Sequence, residues 1–137
     1  MTGLWIAIVV LAAATAFGLV RRRRDGALRS TGTGGDMIEA ADLGRPLGER
    51  ATLLQFSSAF CAPCRATKRV LGEVAEMVEG VAHVEIDAEH NLDLVRRLGV
   101  MRTPTVFVLD SAGKIVQRAA GQPRKADVIA ALGTAIV

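Results

Sequence analysis

From Gly3 to Val20 the chain reads GLWIAIVVLAAATAFGLV, 18 residues without a charge, and the next four residues are all arginine. As a helix this run rises about 27 Å, close to the apolar thickness of a bilayer. It can span, so the first constraint on the fold is the expectation that residues 3–20 form a transmembrane anchor and that the core is built from residues beyond the arginines. Trp5 lies near one end, where indole favours the membrane interface, and the arginines close the other end. A cleaved secretory signal is the alternative, and Ala14-Thr15-Ala16 has the small-residue form of a cleavage site. Such signals carry their positive charge ahead of the apolar stretch, whereas Met1 and Thr2 bring no basic side chain and the arginines come after it. The expectation is a retained, single-pass anchor.

Lysines and arginines beside a span tend to stay in the cytoplasm. The domain after Arg24 is therefore expected to face the cytoplasm, with the amino terminus outside. Arg21, Arg22, Arg23 and Arg24 form a membrane-proximal basic group suited to anionic lipid headgroups. They also carry more than the whole formal net charge of +3, leaving the rest of the chain near −1. With that remainder nearly neutral and aromatics only 4% of residues, no basic, aromatic-studded surface for nucleic acid is expected.

Residues 21–36 read as a basic juxtamembrane segment followed by a linker, because Asp25 to Asp36 (DGALRSTGTGGD) holds few large apolar side chains. Its composition predicts a flexible tether of roughly 20 Å reach. Residues 37–137 are then long enough for one core. Two cysteines cannot staple a disulfide-rich scaffold, so that core must rest on apolar packing.

Strand and helix signals alternate through this domain. Thr52 to Ser57 is a buried-strand run, and Ala62 to about Glu79 a helix ended by Gly80, with Val70, Val74, Met77 and Val78 on one face. Val81 to Asp87 alternates as a strand, and Asn91 to Leu98 is a short helix stopped by Gly99. Thr105 to Leu109 and Lys114 to Arg118 form a hairpin about Asp110-Ser111-Ala112-Gly113, and a helix from Arg124 to about Ile136 turns Ala126, Ile129, Ala130 and Leu132 inward. The class is α/β, a mixed sheet flanked by helices and preceded by one transmembrane helix.

Cys61-Ala62-Pro63-Cys64 falls where a strand gives way to a helix. The first sulfur there meets unpaired backbone N–H groups at the positive end of the helix dipole, which favours thiolate and lowers the pKa of Cys61. Cys64, about one turn along, reaches the same sulfur from a more covered position. Cys61 would attack a substrate disulfide, and Cys64 would then release the reduced product. Ala62 leaves the attack path open, and Pro63 sits in the first helical turn, where a missing N–H costs nothing.

Three features together resemble the thioredoxin family over roughly Ala51 to the carboxyl end: the strand leading to Cys61-Ala62-Pro63-Cys64 on a helix, the VEID strand ending at Asp87, and Gly99-Val100-Met101-Arg102-Thr103-Pro104-Thr105 running into TVFVLD and then Gly113. The resemblance implies a thioredoxin-like fold and a protein-disulfide reductase with protein disulfides as substrates, a reductase as electron donor and no bound cofactor. It implies a cis bond before Pro104, opposite the cysteines, and a substrate chain pairing with the backbone of Thr103. Phe60 and Ala62 stand where thioredoxins have Trp and Gly, and Gln55 stands where they bury an aspartate that relays protons. His83 aligns with the family's nearby lysine and is a candidate substitute relay.

Other readings use the same residues. Zinc would need Cys61, Cys64, His83 and His90, but six residues separate the histidines, outside the usual spacing, and no metal is expected. An inert disulfide would close too short a loop to constrain the unfolded chain much. An exchange protein on the far side of the membrane, or a redox-inactive module that binds peptides near Pro104, also accords with these residues.

Overall fold

The computed structural model describes residues 1–30 and 37–136. Its elements, in chain order, are α1 (Thr2–Arg24), β1 (Arg29–Ser30), α2 (Ala40–Leu43), β2 (Ala51–Ser57), α3 (Ala62–Met77), β3 (Val81–Asp87), a 3-10 turn (Ala88–His90), α4 (Leu92–Leu98), β4 (Thr105–Asp110), β5 (Ile115–Ala120) and α5 (Lys125–Ile136). The apolar run therefore forms a helix that continues through all four arginines. It is long and apolar enough to cross a membrane, and none of its residues is buried.

The strands make one sheet in the order β1-β5-β4-β2-β3. β2 runs parallel to β3 and antiparallel to β4, and all seven of its residues are buried. A strand paired on both sides and covered on both faces must read as a nearly continuous apolar run, which is what ATLLQFS supplies. Alternate residues feed two cores. Leu54 and Phe56 pack with Val84, Ile86, Leu94, Leu98 and Phe107 on the face that α4 covers. Ala51 and Leu53 pack with Leu71, Val74, Val106, Val108, Val128 and Leu132 under α3 and α5. The expected mixed sheet between helices is the architecture observed.

The hairpin between β4 and β5 turns as its residues dictate. Asp110 Oδ1 accepts from the N–H groups of Ala112 and Lys114 at 3.0 and 2.9 Å. Gly113 takes a φ of +90°, and a Cβ there would strike the carbonyl of Ile38.

Helix faces are less legible than helices. In α3 the buried residues are Cys64, Thr67, Leu71 and Val74, while Met77, expected inward, is 62% exposed. In α5 they are Val128, Ala131, Leu132 and Ala135, so of the four expected inward only Leu132 is. α5 is apolar nearly all round and has no sharp polar stripe to mark its outer side, whereas α3 carries Arg65, Lys68, Arg69, Glu73 and Glu76 as an outer stripe and its buried face, opposite them, centres on Thr67, Leu71 and Val74 and leaves Met77 to one side.

The segment after α1 also departs from expectation. Arg29 and Ser30, placed in the flexible tether by their composition, pair antiparallel with Arg118 and Gln117 at the sheet edge. Gly26 is buried and donates its N–H to the Ala120 carbonyl at 2.9 Å. The remainder of the expected tether, 31–36, lies outside the described residues.

Truncating Leu71 to alanine should cost about 2–5 kcal/mol of stability through the cavity it leaves, whereas Met77→Ala should change it by less than about 1 kcal/mol. Denaturant unfolding of the full chain in detergent, monitored by circular dichroism, compares the two.

Candidate active site

The β2/β4 pairing puts Phe56 opposite Thr105. The chain leaving β2 toward the cysteines and the chain entering β4 through Thr103 and Pro104 therefore share one end of the sheet. Ser58 and Thr103 join the two by a 2.7 Å hydrogen bond between their hydroxyls. The Thr103–Pro104 bond is cis, Pro104 is buried and its carbonyl accepts from Gly121 N–H at 2.7 Å. Thr103 is half-buried.

Between β2 and α3 the chain turns sharply, and Phe60 takes a φ of +59° with its side chain fully exposed. For a bulky residue this left-handed conformation is uncommon. It delivers Cys61 to the N-cap of α3, with Ala62 and Pro63 exposed in the first turn. The backbone N–H of Cys64 donates to Cys61 Sγ at 3.2 Å. A sulfur that accepts from the helix's free amides is stabilised as an anion. Cys61 and Cys64 are joined as a disulfide with their Cα atoms 5.2 Å apart. Cys61 is half-buried and Cys64 only 3% exposed. The outer sulfur is partly open to solvent and the inner one is covered.

Beneath the pair lies a buried polar network. Gln55 is fully buried, and its Nε2 donates to the Cys64 carbonyl at 2.8 Å and to Ser57 Oγ at 2.9 Å. Because a carbonyl can only accept, the amide orientation is settled and Oε1 faces His83, whose Nε2 lies 3.2 Å away. His83 Nε2 must then carry the proton. Ser57 Oγ in turn donates to Glu85 at 3.4 Å, and Glu85 lies 3.6 Å from Lys68 Nζ. Burial pushes the His83 pKa below its ordinary 6.5, Lys68 and Arg45 push the same way, and Glu85 opposes them. The ring is therefore neutral at neutral pH.

The sequence reading brought Cys61, Cys64, Phe60, Ala62, Pro63, Thr103 and Pro104 to one place, and the structure sets all seven at that end of the sheet. Among the described residues His83 bonds to Gln55 and to neither sulfur. Ser57, Ser58 and Glu85 went unrecognised. The signal available for Ser57 and Glu85 was their parity, since Gln55, Ser57, His83 and Glu85 are alternate residues on adjacent strands and so share a face. His90 stands apart and bonds to Asp87 at 2.7 Å, which raises its pKa above 6.5.

A disulfide-forming CXXC at a helix N-cap beside a cis-proline, on a mixed sheet flanked by helices, is the arrangement of a thiol–disulfide oxidoreductase. The family model for thioredoxin matches residues 45–134. Over 80 residues the chain is 34% identical to thioredoxin from Bacillus subtilis, spanning 57% of this chain and 76% of that one. Among solved structures, a mutant thioredoxin from Halobacterium salinarum superposes with a TM-score of 0.59 at 22% identity, over 65% of this chain and 77% of its own. Thioredoxin-2 of the malaria parasite gives 0.60 at 19% identity, over 77% and 99%. The chain belongs to the thioredoxin family.

The two histidines should titrate on opposite sides of 6.5, His83 below and His90 above, which NMR of their ring protons reads directly. Their stability effects then have opposite signs. As pH falls below 6.5 the unfolded chain takes up a proton that folded His83 resists, so stability drops. The contribution of His90 is present below 6.5 and is lost as pH rises through its raised value. In Gln55→Leu the Cys64 carbonyl, Ser57 and His83 all lose a partner, at a cost of about 1–3 kcal/mol per group left buried and unpaired. Denaturant unfolding measures that loss.

Proposed function

We propose that this chain is a membrane-anchored thiol–disulfide oxidoreductase that reduces protein disulfides on the cytoplasmic side through the Cys61/Cys64 couple. The observation that carries the reading is the 3.2 Å hydrogen bond from Cys64 N–H to Cys61 Sγ at the N-cap of α3, with Cys64 covered behind it.

In the dithiol form, Cys61 thiolate attacks one sulfur of a substrate disulfide, a mixed disulfide forms, and the other substrate sulfur leaves as thiolate. Cys64 then attacks Cys61, its proton passing to the departing substrate sulfur. The products are one substrate thiol, one substrate thiolate that takes a proton from water, and the Cys61–Cys64 disulfide. Two electrons have moved to the substrate, and a partner reductase returns them. Phe60, Ala62, Pro63, Thr103 and Pro104 form the surface over which the substrate chain lies. No group at position 55 can take a proton, and the amide of Gln55 stands between His83 and Cys64. For His83 we therefore infer positioning of Gln55 in place of a proton relay.

The anchor reading is supported by the length and apolarity of α1, with residues 3–20 in the membrane. The inward orientation rests on Arg21, Arg22, Arg23 and Arg24 coming after the span, where they also meet lipid headgroups.

Cys61→Ser should abolish insulin reduction by the full chain with dithiothreitol as donor, and Cys64→Ser should accumulate mixed disulfide visible on non-reducing gels. Equal rates for Cys61→Ser and the unaltered chain would leave peptide binding as the better account. A green fluorescent protein fused after Val137 should fluoresce and an alkaline phosphatase fused there should stay inactive; the reverse pattern overturns the orientation.

A further inference from the structure

There is no slack between the membrane helix and the catalytic domain. α1 ends at Arg24, and the next residue, Asp25, forms an ion pair with Arg102. Arg102 also donates to the Ala120 carbonyl at 2.6 Å, the same carbonyl that accepts from Gly26 N–H at 2.9 Å. Gly26 has a φ of +73°, and any Cβ there would collide with the Gln122 carbonyl. At Gly121 a Cβ would come within 3.0 Å of Gly26 N and 3.1 Å of Asp25 Oδ1. Two glycines thus let two backbone segments, 25–26 and 120–122, close on one another beside the Arg102 side chain, and pairing of Arg29–Ser30 with β5 holds the chain beyond them.

What the helix is fastened to is the substrate loop. Arg102 is followed at once by Thr103 and the cis-proline, and Thr103 is bonded to Ser58 of the loop leading to Cys61. With Arg21–Arg24 among the headgroups, the loop that carries Thr103 and the cis-proline is held by an ion pair to the residue that follows the membrane helix. Among the described residues, the domain's two most exposed large apolar side chains, Phe60 and Met101 at 91%, belong to the same two loops.

We propose that this clamp makes the enzyme selective for disulfides held close to the membrane surface, in cysteine-bearing extramembrane segments of integral membrane proteins. A disulfide a few residues from a span meets the site without either partner bending, and the apolar stretch beside it suits Phe60 and Met101. A soluble protein must instead reach a site pressed toward the headgroups. The proposal rests on the anchored-oxidoreductase reading above, with Asp25, Gly26, Arg102 and Gly121 as positioning residues.

The test uses the full chain in anionic lipid vesicles with dithiothreitol as donor. The probe is a peptide disulfide carrying a fluorophore pair that brightens on cleavage, displayed from lipid on polyproline spacers that add about 3.1 Å per residue. The unaltered chain should cleave fastest with spacers of up to about six residues and roughly tenfold more slowly with twenty. Inserting ten Gly/Ser residues between Arg24 and Asp25 leaves the clamp on the domain but frees it from the helix; its rates should agree within about twofold across all spacers. Both proteins should cleave the untethered peptide equally, which controls for folding. A flat spacer profile in the unaltered chain, or a peaked one in the insertion variant, overturns the clamp's role and leaves the oxidoreductase standing. Failure of the unaltered chain to cleave the untethered peptide overturns both.

Discussion

The hydrogen bonding of Ala51–Ser57 between two neighbours is the constraint on which the site depends. A strand held on both edges cannot shift register without turning Leu54 and Phe56 away from one core and Leu53 away from the other. Its carboxyl end is consequently a fixed point. From there the turn at Phe60 places Cys61 at the start of α3, while the antiparallel neighbour β4 sets Pro104 beside it. The same register puts Gln55 and Ser57 on the face that α3 covers, directly beneath Cys64.

Gln55 sets how this buried site is bonded. An ionisable group in that position would bind or release a proton as the cysteines react; an amide supplies hydrogen bonds and no proton. The structure uses both ends of it, tying the Cys64 carbonyl to β3 through His83 and to Glu85 through Ser57. The result is a fully paired network around a neutral histidine, and paired buried groups rigidify their surroundings. In the proposed exchange, proton transfer is then left to the reacting sulfurs themselves.

Much of this was legible beforehand. The order of strands and helices comes from runs such as TLLQFS and VAHVEID, whose period is set by backbone geometry, and Gly80, Gly99 and Gly113 mark ends where a left-handed residue is required. The redox pair was legible because a CXXC at a strand-to-helix junction places its sulfur by local geometry alone. The inward face of α5 was not, because Ala126, Ile129 and Ala130 are as apolar as the residues actually buried. Nor was the docking of Asp25–Ser30: two paired residues show no period, and the partners of Asp25 and Gly26, Arg102 and Ala120, lie far along the chain.

The amino-acid sequence by itself determined the apolar N-terminal helix, the alternation of elements and the chemistry of Cys61 and Cys64, because each depends on residues within a turn or a strand of one another. Only the tertiary structure decided that His83 bonds to Gln55, that Ser58 joins the two chain segments at the cysteine end of the sheet, and that the start of the supposed tether, at Asp25, is fastened to Arg102 ahead of the cis-proline. Those contacts join residues 28, 45 and 77 positions apart, and nothing but the folded sheet brings such partners together.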